Sequence, residues 1–502
     1  MNEKIVVYSG SRNIYPDMVT AANSLLTHTK VDKIYFLIED DIFPYSVPSE
    51  VKTINVSNQT FFPPNGPNMN TRFTYMVLLR AALAHLFPQY DKVLSLDVDT
   101  IVIGDISGLW DYDLSEYYFA ACSEPPSKKG GKWPKDAKFY KNQDEYFNIG
   151  VTMYNLEKLR DGTADRNIQM LNSEWFYSVE QDTFNLTCGG KILEIPSDYN
   201  VNDIWSKPTD NPLIIHYAAV PLDEWRREPL VAKYWTDEIK PVMKELIRKA
   251  TNPRVVVYAG TRNLYKDMVP AAKSLLAHTK VDKVYFLIED DKFPINDDIS
   301  EPLPEIIETM NVKNQKWFPP FCANCQQPLT YMVLMRAAYT KLFPQYDKVL
   351  QIDVDTLVED DISGLWDYDL SDYYLAACIE PLCSLKTNGK WPKRWEYFNM
   401  GVALLNLKKL RDDRKDNIII KKIVAGRTES QEQGVFNAVC EGRILEIPPE
   451  YNSSNWTENV EKPRIVHYAG DREWQKNFKY WIDRYRNQSW NDILGKEIWQ
   501  NT

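Results

Sequence analysis

Apolar and polar positions follow two different periods along the chain. Short apolar runs typical of β-strands lie at residues 4–8, 33–38 and 92–96. Residues 18–26 and 75–86 carry apolar side chains at helical spacing. Strands that alternate with helices predict an α/β fold with a largely parallel sheet. In such sheets, ligands bind beyond the carboxyl ends of the strands.

The same pattern occurs twice. Residues 27–41, THTKVDKIYFLIEDD, recur at 277–291 as AHTKVDKVYFLIEDD. Residues 87–100, FPQYDKVLSLDVDT, recur at 343–356 as FPQYDKVLQIDVDT. A repeat of this length makes each copy a complete domain, because a solenoid unit is much shorter. The sequence therefore predicts two tandem domains, residues 1–250 (copy one) and 251–502 (copy two).

Composition narrows the class of protein. Hydrophobic residues make up 44% of the 502 positions and charged residues 26%, which is typical of a globular chain. The formal net charge is −11 and no Lys/Arg block stands out, so nucleic acid is not an expected partner. No apolar run has the length of a transmembrane helix, and the first residues do not resemble a signal peptide.

The cysteines favour a reducing compartment. Seven cysteines in a chain of this length fit a cytoplasmic protein better than a disulfide framework. Cys322 and Cys325 have the spacing of a metal or redox pair, with Cys378 and Cys383 as the nearest further ligands. Copy one lacks this pair, so a zinc or redox role is the minor alternative. Four cysteines match between the copies and are expected in the core: Cys122, Cys378, Cys188 and Cys440.

An Asp-x-Asp motif follows an apolar strand in each copy, as Asp97 and Asp99 and again as Asp353 and Asp355. In an extended segment, both carboxylates point to the same side. Two carboxylates are suitable ligands for Mg²⁺ or Mn²⁺, which can neutralise a diphosphate. A single motif of this kind can also be a solvated strand end, but its recurrence in register favours the metal site.

Histidine gives an independent signal. His216 and His467 follow matching late strands, and an imidazole ligand would favour Mn²⁺ over Mg²⁺. The alternative for each is a core histidine bonded to the backbone. His28 and His278 also match, and we interpret them as residues at the ends of helices.

The order of these motifs resembles glycosyltransferase family 8, which includes glycogenin and bacterial lipooligosaccharide galactosyltransferases. The most specific stretches are DKVLSLDVDTIV and YFNIGVTMYNLEKL. The resemblance implies a GT-A fold in each copy, a Rossmann-like fold that binds nucleotide-diphospho-sugars. It also implies a retaining, Mn²⁺-dependent enzyme that moves a hexose from a UDP-sugar to a hydroxyl of a carbohydrate or protein acceptor.

The resemblance assigns roles residue by residue. The implied metal ligands are Asp97, Asp99, His216, Asp353, Asp355 and His467. The implied catalytic residues near the reacting carbon are Gln181, Asp182 and Gln433. In copy one, the implied nucleotide- and sugar-binding residues are Gly10, Tyr15, Arg80, Glu124, Asn148 and Gly150. In copy two they are Gly260, Tyr265, Arg336, Glu380, Asn399 and Gly401.

The chain departs from the family pattern at three places. Where the family holds uracil with an acid and a tyrosine, copy one has Ser11 and Ile14, with Tyr15 one residue late. The family's His-x-x-Gly-x-x-Lys lacks its lysine in both copies, and copy one has Ala219 for its glycine. A nearby arginine, Arg226 or Arg472, is a candidate to replace that lysine.

The third departure makes the copies unequal, because copy two has Gly434 where copy one has Asp182. The sequence therefore favours copy one as the more active transferase. Two alternatives remain open. One or both copies bind a nucleotide-sugar or an acceptor without catalysis, or the site hydrolyses nucleotide diphosphates.

Overall fold

The chain forms two compact units, Met1–Ile247 and Arg248–Thr502. A computed structural model describes most of both units. The described residues are 3–69, 71, 74–124, 146–206, 208–296, 299–319, 322, 324, 331–380, 397–426, 431–457, 460–469 and 472–500.

Copy one contains a mixed β-sheet. Its strands are β1 (Ile5–Ser9), β2 (Lys33–Ile38), β3 (Val51–Asn55), β4 (Lys92–Leu96), β5 (Thr100–Val102), β6 (Phe119–Ser123), β7 (Phe147–Asn155), β8 (Ile192–Glu194) and β9 (Ile214–His216). Within the described residues, seven of them form one sheet in the order β3-β2-β1-β4-β7-β6-β8. β5 and β9 form a separate antiparallel pair.

Copy two repeats this arrangement. Its strands are β10 (Val255–Ala259), β11 (Lys283–Ile288), β12 (Ile307–Asn311), β13 (Lys348–Ile352), β14 (Thr356–Val358), β15 (Leu375–Ile379), β16 (Phe398–Asn406), β17 (Ile444–Glu446) and β18 (Ile465–His467). Their order in the main sheet is β12-β11-β10-β13-β16-β15-β17, and β14 pairs with β18. The predicted α/β fold in two tandem copies is therefore confirmed.

Helices cover the sheets. In copy one they are α1 (Tyr15–His28), α2 (Leu83–Leu86), α3 (Leu156–Leu159), α4 (Thr163–Ser173), α5 (Val179–Cys188), α6 (Leu222–Trp225), α7 (Pro229–Ala232) and α8 (Ile239–Thr251). The remaining helices are α9 (Tyr265–His278), α10 (Tyr331–Leu334), α11 (Tyr339–Leu342), α12 (Leu407–Asp412), α13 (Lys415–Ala425), α14 (Gln431–Val439), α15 (Arg472–Arg486), α16 (Trp490–Leu494) and α17 (Glu497–Gln500). None of the helices among the described residues combines the length and the apolar character that a bilayer-spanning segment needs.

Each sheet has an apolar layer on both faces, because alternate residues of a strand point in opposite directions. In β1, Val6 and Tyr8 pack with α1, whereas Ile5 and Val7 pack on the other face with Phe87. The strands β3, β2, β1 and β4 are parallel, as the sequence predicts. β7 runs antiparallel to β4 and β6, whereas β6 and β8 are parallel, so the sheet is mixed but largely parallel, as predicted.

The helix predicted at 75–86 has a different geometry from the expected one. Residues Val77–Ala82 form a 3-10 helix, and only Leu83–Leu86 is α-helical. Residues 78–84 are all buried, so no polar face specifies the 3.6-residue period of an α-helix. The tighter helix carries Arg80 toward the carboxyl end of β4.

The cysteine expectations have a mixed outcome. Cys122, Cys188, Cys378 and Cys440 are buried and free, as predicted for core residues. Cys322 is disulfide-bonded, so the expectation of reduced cysteines is wrong for this residue and its sulfur is not a zinc ligand. Cys325 and Cys383 lie outside the described residues.

Candidate active site

The Asp-x-Asp motif of copy one lies in a tight turn directly after β4. The Asp97 N–H donates to the Gly150 carbonyl at 2.7 Å, which ties the motif to β7. The Thr100 hydroxyl and N–H both donate to the Asp97 carbonyl, at 2.6 and 3.2 Å, and close the turn. β4 therefore delivers both carboxylates to the carboxyl edge of the parallel strands, next to β1.

A short strand pair brings the late histidine to this edge. β5 begins right after the motif and pairs antiparallel with β9, with Thr100 opposite His216. The Tyr217 N–H donates to the Asp99 carbonyl at 2.9 Å and holds the end of β9 in place. The aspartates and the histidine are far apart in the sequence, and this backbone pairing brings them together. Its register fixes the position of the imidazole.

In each copy, two carboxylates and one imidazole converge on a single point. The ligand atoms of Asp97, Asp99 and His216 all lie within 4.8 Å of one another, and so do those of Asp353, Asp355 and His467. His216 Nε2 is 3.5 Å from Asp97 Oδ2 and 3.3 Å from Asp99 Oδ1. The corresponding distances from His467 Nε2 are 3.9 and 3.4 Å.

A glycine keeps the space beside this cluster open. A Cβ atom on Gly150 would lie 2.3 Å from His216 Cε1 and 2.6 Å from Asp97 Oδ2. On Gly401 of copy two it would lie 2.1 Å from His467 Cε1. Any side chain at these positions would displace a group of the cluster, so the glycine is required by the site itself.

The cluster is also charged in a complementary way. Burial works against charge on Asp355 and on His467, but each of the two groups stabilises the charge of the other. The pKa of Asp355 is therefore lowered and the pKa of His467 is raised. Two carboxylates and one imidazole form a donor set that fits Mn²⁺ or Mg²⁺, with imidazole favouring Mn²⁺.

An arginine is buried beside the aspartates. Arg80 is 7% exposed, and its guanidinium forms ion pairs with Asp97 and with Glu180, the latter at 2.6 Å from Nη1. Burial raises the pKa of Glu180 to about 7 although Arg80 opposes the shift. Sequence reasoning did not assign a role to Glu180.

The matching arginine of copy two contacts the two equivalent carboxylates and one further carbonyl. Arg336 donates to Asp353 Oδ1 at 2.7 Å and to the Met400 carbonyl at 2.6 Å. Its Nε is 3.4 Å from Glu432, and burial raises the pKa of Glu432 to about 7. Gln351, which replaces Ser95 of copy one, donates a further hydrogen bond to Asp353 Oδ1 at 3.1 Å.

A cluster of carboxamides and one carboxylate lies next to the metal cluster in copy one. Gln181 Nε2 donates to Glu124 Oε2 at 2.9 Å, and Asn148 Nδ2 donates to the same oxygen at 3.1 Å. The Ile149 N–H donates to Gln181 Oε1 at 3.1 Å. Burial raises the pKa of Glu124, although the hydrogen bonds from Asn148 and Gln181 oppose the shift.

Copy two has the same cluster. Asn399 Nδ2 and Gln433 Nε2 donate to Glu380 Oε2 at 2.9 and 3.2 Å. The Met400 N–H donates to Gln433 Oε1 at 2.9 Å. The structure therefore brings together the glutamate, asparagine and glutamine that the sequence singled out in each copy.

Asp182 contacts Gln181 indirectly, through the hydroxyl of Tyr146. Its carboxylate accepts from the Tyr146 hydroxyl at 2.6 Å and from the Ser178 N–H at 3.0 Å. Gln181 Nε2 donates to that same hydroxyl at 3.0 Å. Copy two has Gly434 at this position, although Gln433 still donates to the Tyr397 hydroxyl at 3.1 Å.

The helix that carries the glutamine begins with unusual backbone in both copies. Val179 has a φ of 40° and Gln431, at the same place in copy two, has a φ of 44°. Residues other than glycine rarely adopt this left-handed conformation, and it is costly for a β-branched side chain. The turn directs the next two residues, Glu180 and Gln181, into the site.

The predicted nucleotide residues near β1 have structural tasks. Gly10 leaves room for Met18, whose sulfur would lie 2.6 Å from an added Cβ. The Tyr15 ring is 2% exposed and packs on Phe43, and its hydroxyl donates to Asp40 at 3.0 Å. Gly260 and Tyr265 repeat these arrangements. Both rings are buried, and the assignment of Tyr15 and Tyr265 to nucleotide binding stays a prediction.

Arg226, a candidate to replace the missing lysine, is buried and contacts groups near the start of α1. It is 5% exposed, and its guanidinium is held by Asp17, at 2.9 Å from Nε, and by the Asn13 carbonyl. The Arg472 side chain is not among the described groups. Ala219, where the family has glycine, has a φ of 61°, which is the conformation that favours glycine.

Sequence reasoning missed the asparagines that contact the two histidines. Asn200 Oδ1 lies 2.8 Å from His216 Nδ1, and Asn452 Oδ1 lies 2.9 Å from His467 Nδ1. A signal was present, because a Tyr-Asn pair precedes β9 and β18 at matching positions.

The known proteins that match this chain include glycosyltransferases. The profile of Glycosyl transferase family 8 matches residues 5–228 and again residues 255–483. A putative glycosyltransferase of Haemophilus influenzae is 29% identical over 188 residues, which cover 32% of this chain and 56% of that protein. Glycosyltransferase GlyD of Streptococcus pneumoniae is 28% identical over 280 residues, 49% of this chain and 32% of that protein. The matches thus span only part of these relatives.

Two solved structures of glycosyltransferases align with this chain at low identity. The galactosyltransferase LgtC, solved with donor and acceptor sugar analogues, is 20% identical, with 48% of this chain and 99% of that chain covered and a TM-score of 0.36. The bifunctional glycosyltransferase WbbM is 12% identical, with 99% of this chain and 100% of that chain covered and a TM-score of 0.36.

Proposed function

This chain belongs to glycosyl transferase family 8 and has two tandem GT-A domains, and we propose that it transfers a hexose from a UDP-sugar to an acceptor hydroxyl with retention of configuration. We further propose that the domains are residues 1–250 and 251–502. One observation carries the proposal: in both copies, a cluster of two aspartates and a histidine adjoins a cluster of glutamate, asparagine and glutamine.

We assign Asp97, Asp99 and His216 to a divalent cation, Mn²⁺ or Mg²⁺, and the matching residues of copy two to a second one. The donor set and the space kept open by Gly150 fit such an ion. When bound, the ion would supply positive charge that stabilises a departing diphosphate. The partly exposed carboxylates leave one side of the cluster accessible, with side chains 27% and 30% exposed for Asp97 and Asp99.

Side chains beside the metal cluster would stabilise the leaving group and bind the sugar of the donor. Arg80 is preorganised by its ion pairs with Asp97 and Glu180, so its charge is fixed beside the leaving group at no cost of reorganisation. Glu124, Asn148 and Gln181 present amide and carboxylate groups that can bind sugar hydroxyls. Binding of the donor in one orientation lowers the entropic part of the barrier.

The pocket supports transfer without a protein nucleophile. Gln181 is a neutral amide, and Glu124 accepts hydrogen bonds from two carboxamides that restrain it. A glycosyl-enzyme intermediate needs a free carboxylate near the reacting carbon. We therefore assign the reaction to a front-face displacement in which acceptor and leaving group are on the same side of the sugar.

A second candidate function applies to copy two, which we propose as the weaker transferase or as a binding domain. Gly434 removes the carboxylate that holds the tyrosine in copy one. In copy two, Asp353 Oδ1 accepts from both Gln351 and Arg336. In the described part of copy one, the matching oxygen of Asp97 accepts from Arg80 alone.

The test is a panel of UDP-, GDP- and CDP-sugars with Mn²⁺. A donor that binds the folded state should raise the melting temperature by several degrees, and only with the metal present. Release of the nucleoside diphosphate should then depend on an added carbohydrate or protein acceptor. No stabilisation by any nucleotide-sugar would contradict the proposal, and equal release without acceptor would indicate a hydrolase.

A further inference from the structure

We propose that Asn200 in copy one and Asn452 in copy two are positioning residues that couple the metal-binding histidine to the sugar pocket. The proposal rests on the function proposed above. Asn200 is 0% exposed and Asn452 is 1% exposed, and both carboxamides lie between the two clusters of their copy.

The direction of every hydrogen bond in this chain of amides follows from one backbone group. The Gly150 N–H can only donate, and the side-chain atom 3.0 Å from it is therefore the oxygen of Asn148. That oxygen is also 2.9 Å from Asn200, so the Asn200 atom facing it must be the NH₂ group. The other atom of Asn200, its oxygen, then faces His216 Nδ1 at 2.8 Å.

An oxygen that can only accept requires a proton on the nitrogen it faces. His216 therefore carries a proton on Nδ1, and Nε2 is the ring nitrogen that faces Asp97 and Asp99. A proton on Nδ1 is what a metal ligand bound through Nε2 needs, because metal-bound imidazole donates its other N–H to an acceptor.

The same inference holds in copy two from its own backbone. The Gly401 N–H is 2.8 Å from Asn399 Oδ1, and Asn452 Nδ2 is 2.9 Å from that oxygen. Asn452 Oδ1 then faces His467 Nδ1 at 2.9 Å. Two copies with different neighbouring residues keep the same chain of donors and acceptors.

On the far side, the chain reaches the sugar pocket. Asn148 Nδ2 donates to Glu124 at 3.1 Å and to Gln181 Oε1 at 3.2 Å. Asn200 thus has two separate tasks. Its oxygen sets the histidine tautomer, and its NH₂ group orients Asn148 toward the residues assigned to the sugar.

Two substitutions separate these tasks. Asn200→Asp keeps an acceptor for His216 but has no NH₂ group to donate to Asn148. Asn200→Leu removes both. Each is made in a background of Asp353→Asn and Asp355→Asn, so that copy one alone binds metal. Asn167→Leu is the matched control, because Asn167 is buried and bonds to Thr163 and Thr187 away from the site.

The first readouts are Mn²⁺ affinity, from the electron paramagnetic resonance signal of free Mn²⁺, and sugar transfer. Asn200→Leu should weaken Mn²⁺ binding roughly 10–100-fold. Asn200→Asp should bind Mn²⁺ as tightly as the background yet lower kcat at least about tenfold, which a merely structural residue would not do. Asn167→Leu should leave both quantities unchanged.

The second readout needs neither metal nor activity. In metal-free protein with ¹⁵N-labelled histidine, the ring shifts of His216, assigned by their loss in His216→Gln, should show a proton on Nδ1. An unprotonated Nδ1, or unchanged Mn²⁺ affinity in Asn200→Leu, would overturn the role of Asn200. A protonated Nδ1 with no Mn²⁺ binding by the unsubstituted chain would instead overturn the proposed function.

Discussion

Gly150 lies directly against His216, with no room between them for a methyl group. A Cβ atom would sit 2.3 Å from His216 Cε1, which is well inside van der Waals contact. We expect Gly150→Ala to displace the imidazole or Asp97 and so to abolish metal binding in copy one. Mn²⁺ bound per chain, measured by equilibrium dialysis, should fall from two to one.

Two variants control this prediction. Gly401→Ala should remove the other ion, because an added Cβ would lie 2.1 Å from His467 Cε1. Gly426→Ala should leave both ions bound, since nothing lies within 4 Å of an added Cβ there. Two ions per chain in Gly150→Ala would show that the cluster is not the metal site.

Ala219 is a strained residue in the loop after β9. Its φ of 61° costs an L-residue about 1–2 kcal/mol, and glycine avoids this strain at an entropic cost of about 0.5–1 kcal/mol. Ala219→Gly should therefore stabilise the chain by about 0.5–1 kcal/mol in urea unfolding. Ala218→Gly, next to it and without a positive φ, should not stabilise; a loss of stability in Ala219→Gly would contradict the assignment of strain.

The buried glutamates predict a pH dependence of stability. Burial raises the pKa of Glu180 and of Glu432 to about 7, above the ordinary value of 4.5. Between about pH 4.5 and 7 the folded state keeps protons that the unfolded state has released. The stability that the two raised pKa values contribute is thus complete below pH 4.5 and is lost as the pH rises through 7.

The double variant Glu180→Gln/Glu432→Gln carries neutral amides in both states and should lose this dependence. We expect its free energy of unfolding to fall less steeply between pH 5 and 7 than that of the unsubstituted chain. Glu157→Gln, at an exposed position, should follow the unsubstituted chain. Parallel curves for the double variant and the unsubstituted chain would show that the two glutamates are charged across this range.

The fold could be predicted because its signals are local and repeated. The apolar runs at 33–38 and 92–96 have the bounds of β2 and β4, and the repeat shows that both copies have one architecture. The antiparallel strand β7 could not be predicted in this way, because an apolar run does not encode the direction of its neighbour.

The candidate site was predicted where a motif lies at the end of a strand, and less well where side chains meet through long-range packing. Asp97, Asp99 and His216 converge as expected. The burial of Tyr15 and Arg226 could not be predicted, because residue type alone carries no sign of it. Each is held by an aspartate that only the folded chain brings near.

The two copies should differ in activity. Asp182 holds Tyr146, which in turn accepts from Gln181, and Gly434 cannot do this in copy two. Loss of a charged hydrogen bond costs roughly 1.5–3 kcal/mol, or about 10–100-fold in rate if the bond supports the transition state.

The comparison uses Asp97→Asn/Asp99→Asn against Asp353→Asn/Asp355→Asn in the sugar-transfer assay. The first pair should remove most of the turnover, and the second pair should leave most of it. The reverse result would make copy two the main transferase.

Metal-dependent sugar transfer by the two aspartate–histidine clusters is tested most directly by substituting all four aspartates at once. The variant Asp97→Asn/Asp99→Asn/Asp353→Asn/Asp355→Asn keeps the size of each side chain and removes four negative charges. With Mn²⁺ and the best UDP-sugar of the panel, transfer to acceptor should fall at least about a thousandfold, while circular dichroism shows a folded chain. Transfer within about threefold of the unsubstituted chain would contradict metal-dependent catalysis by these clusters.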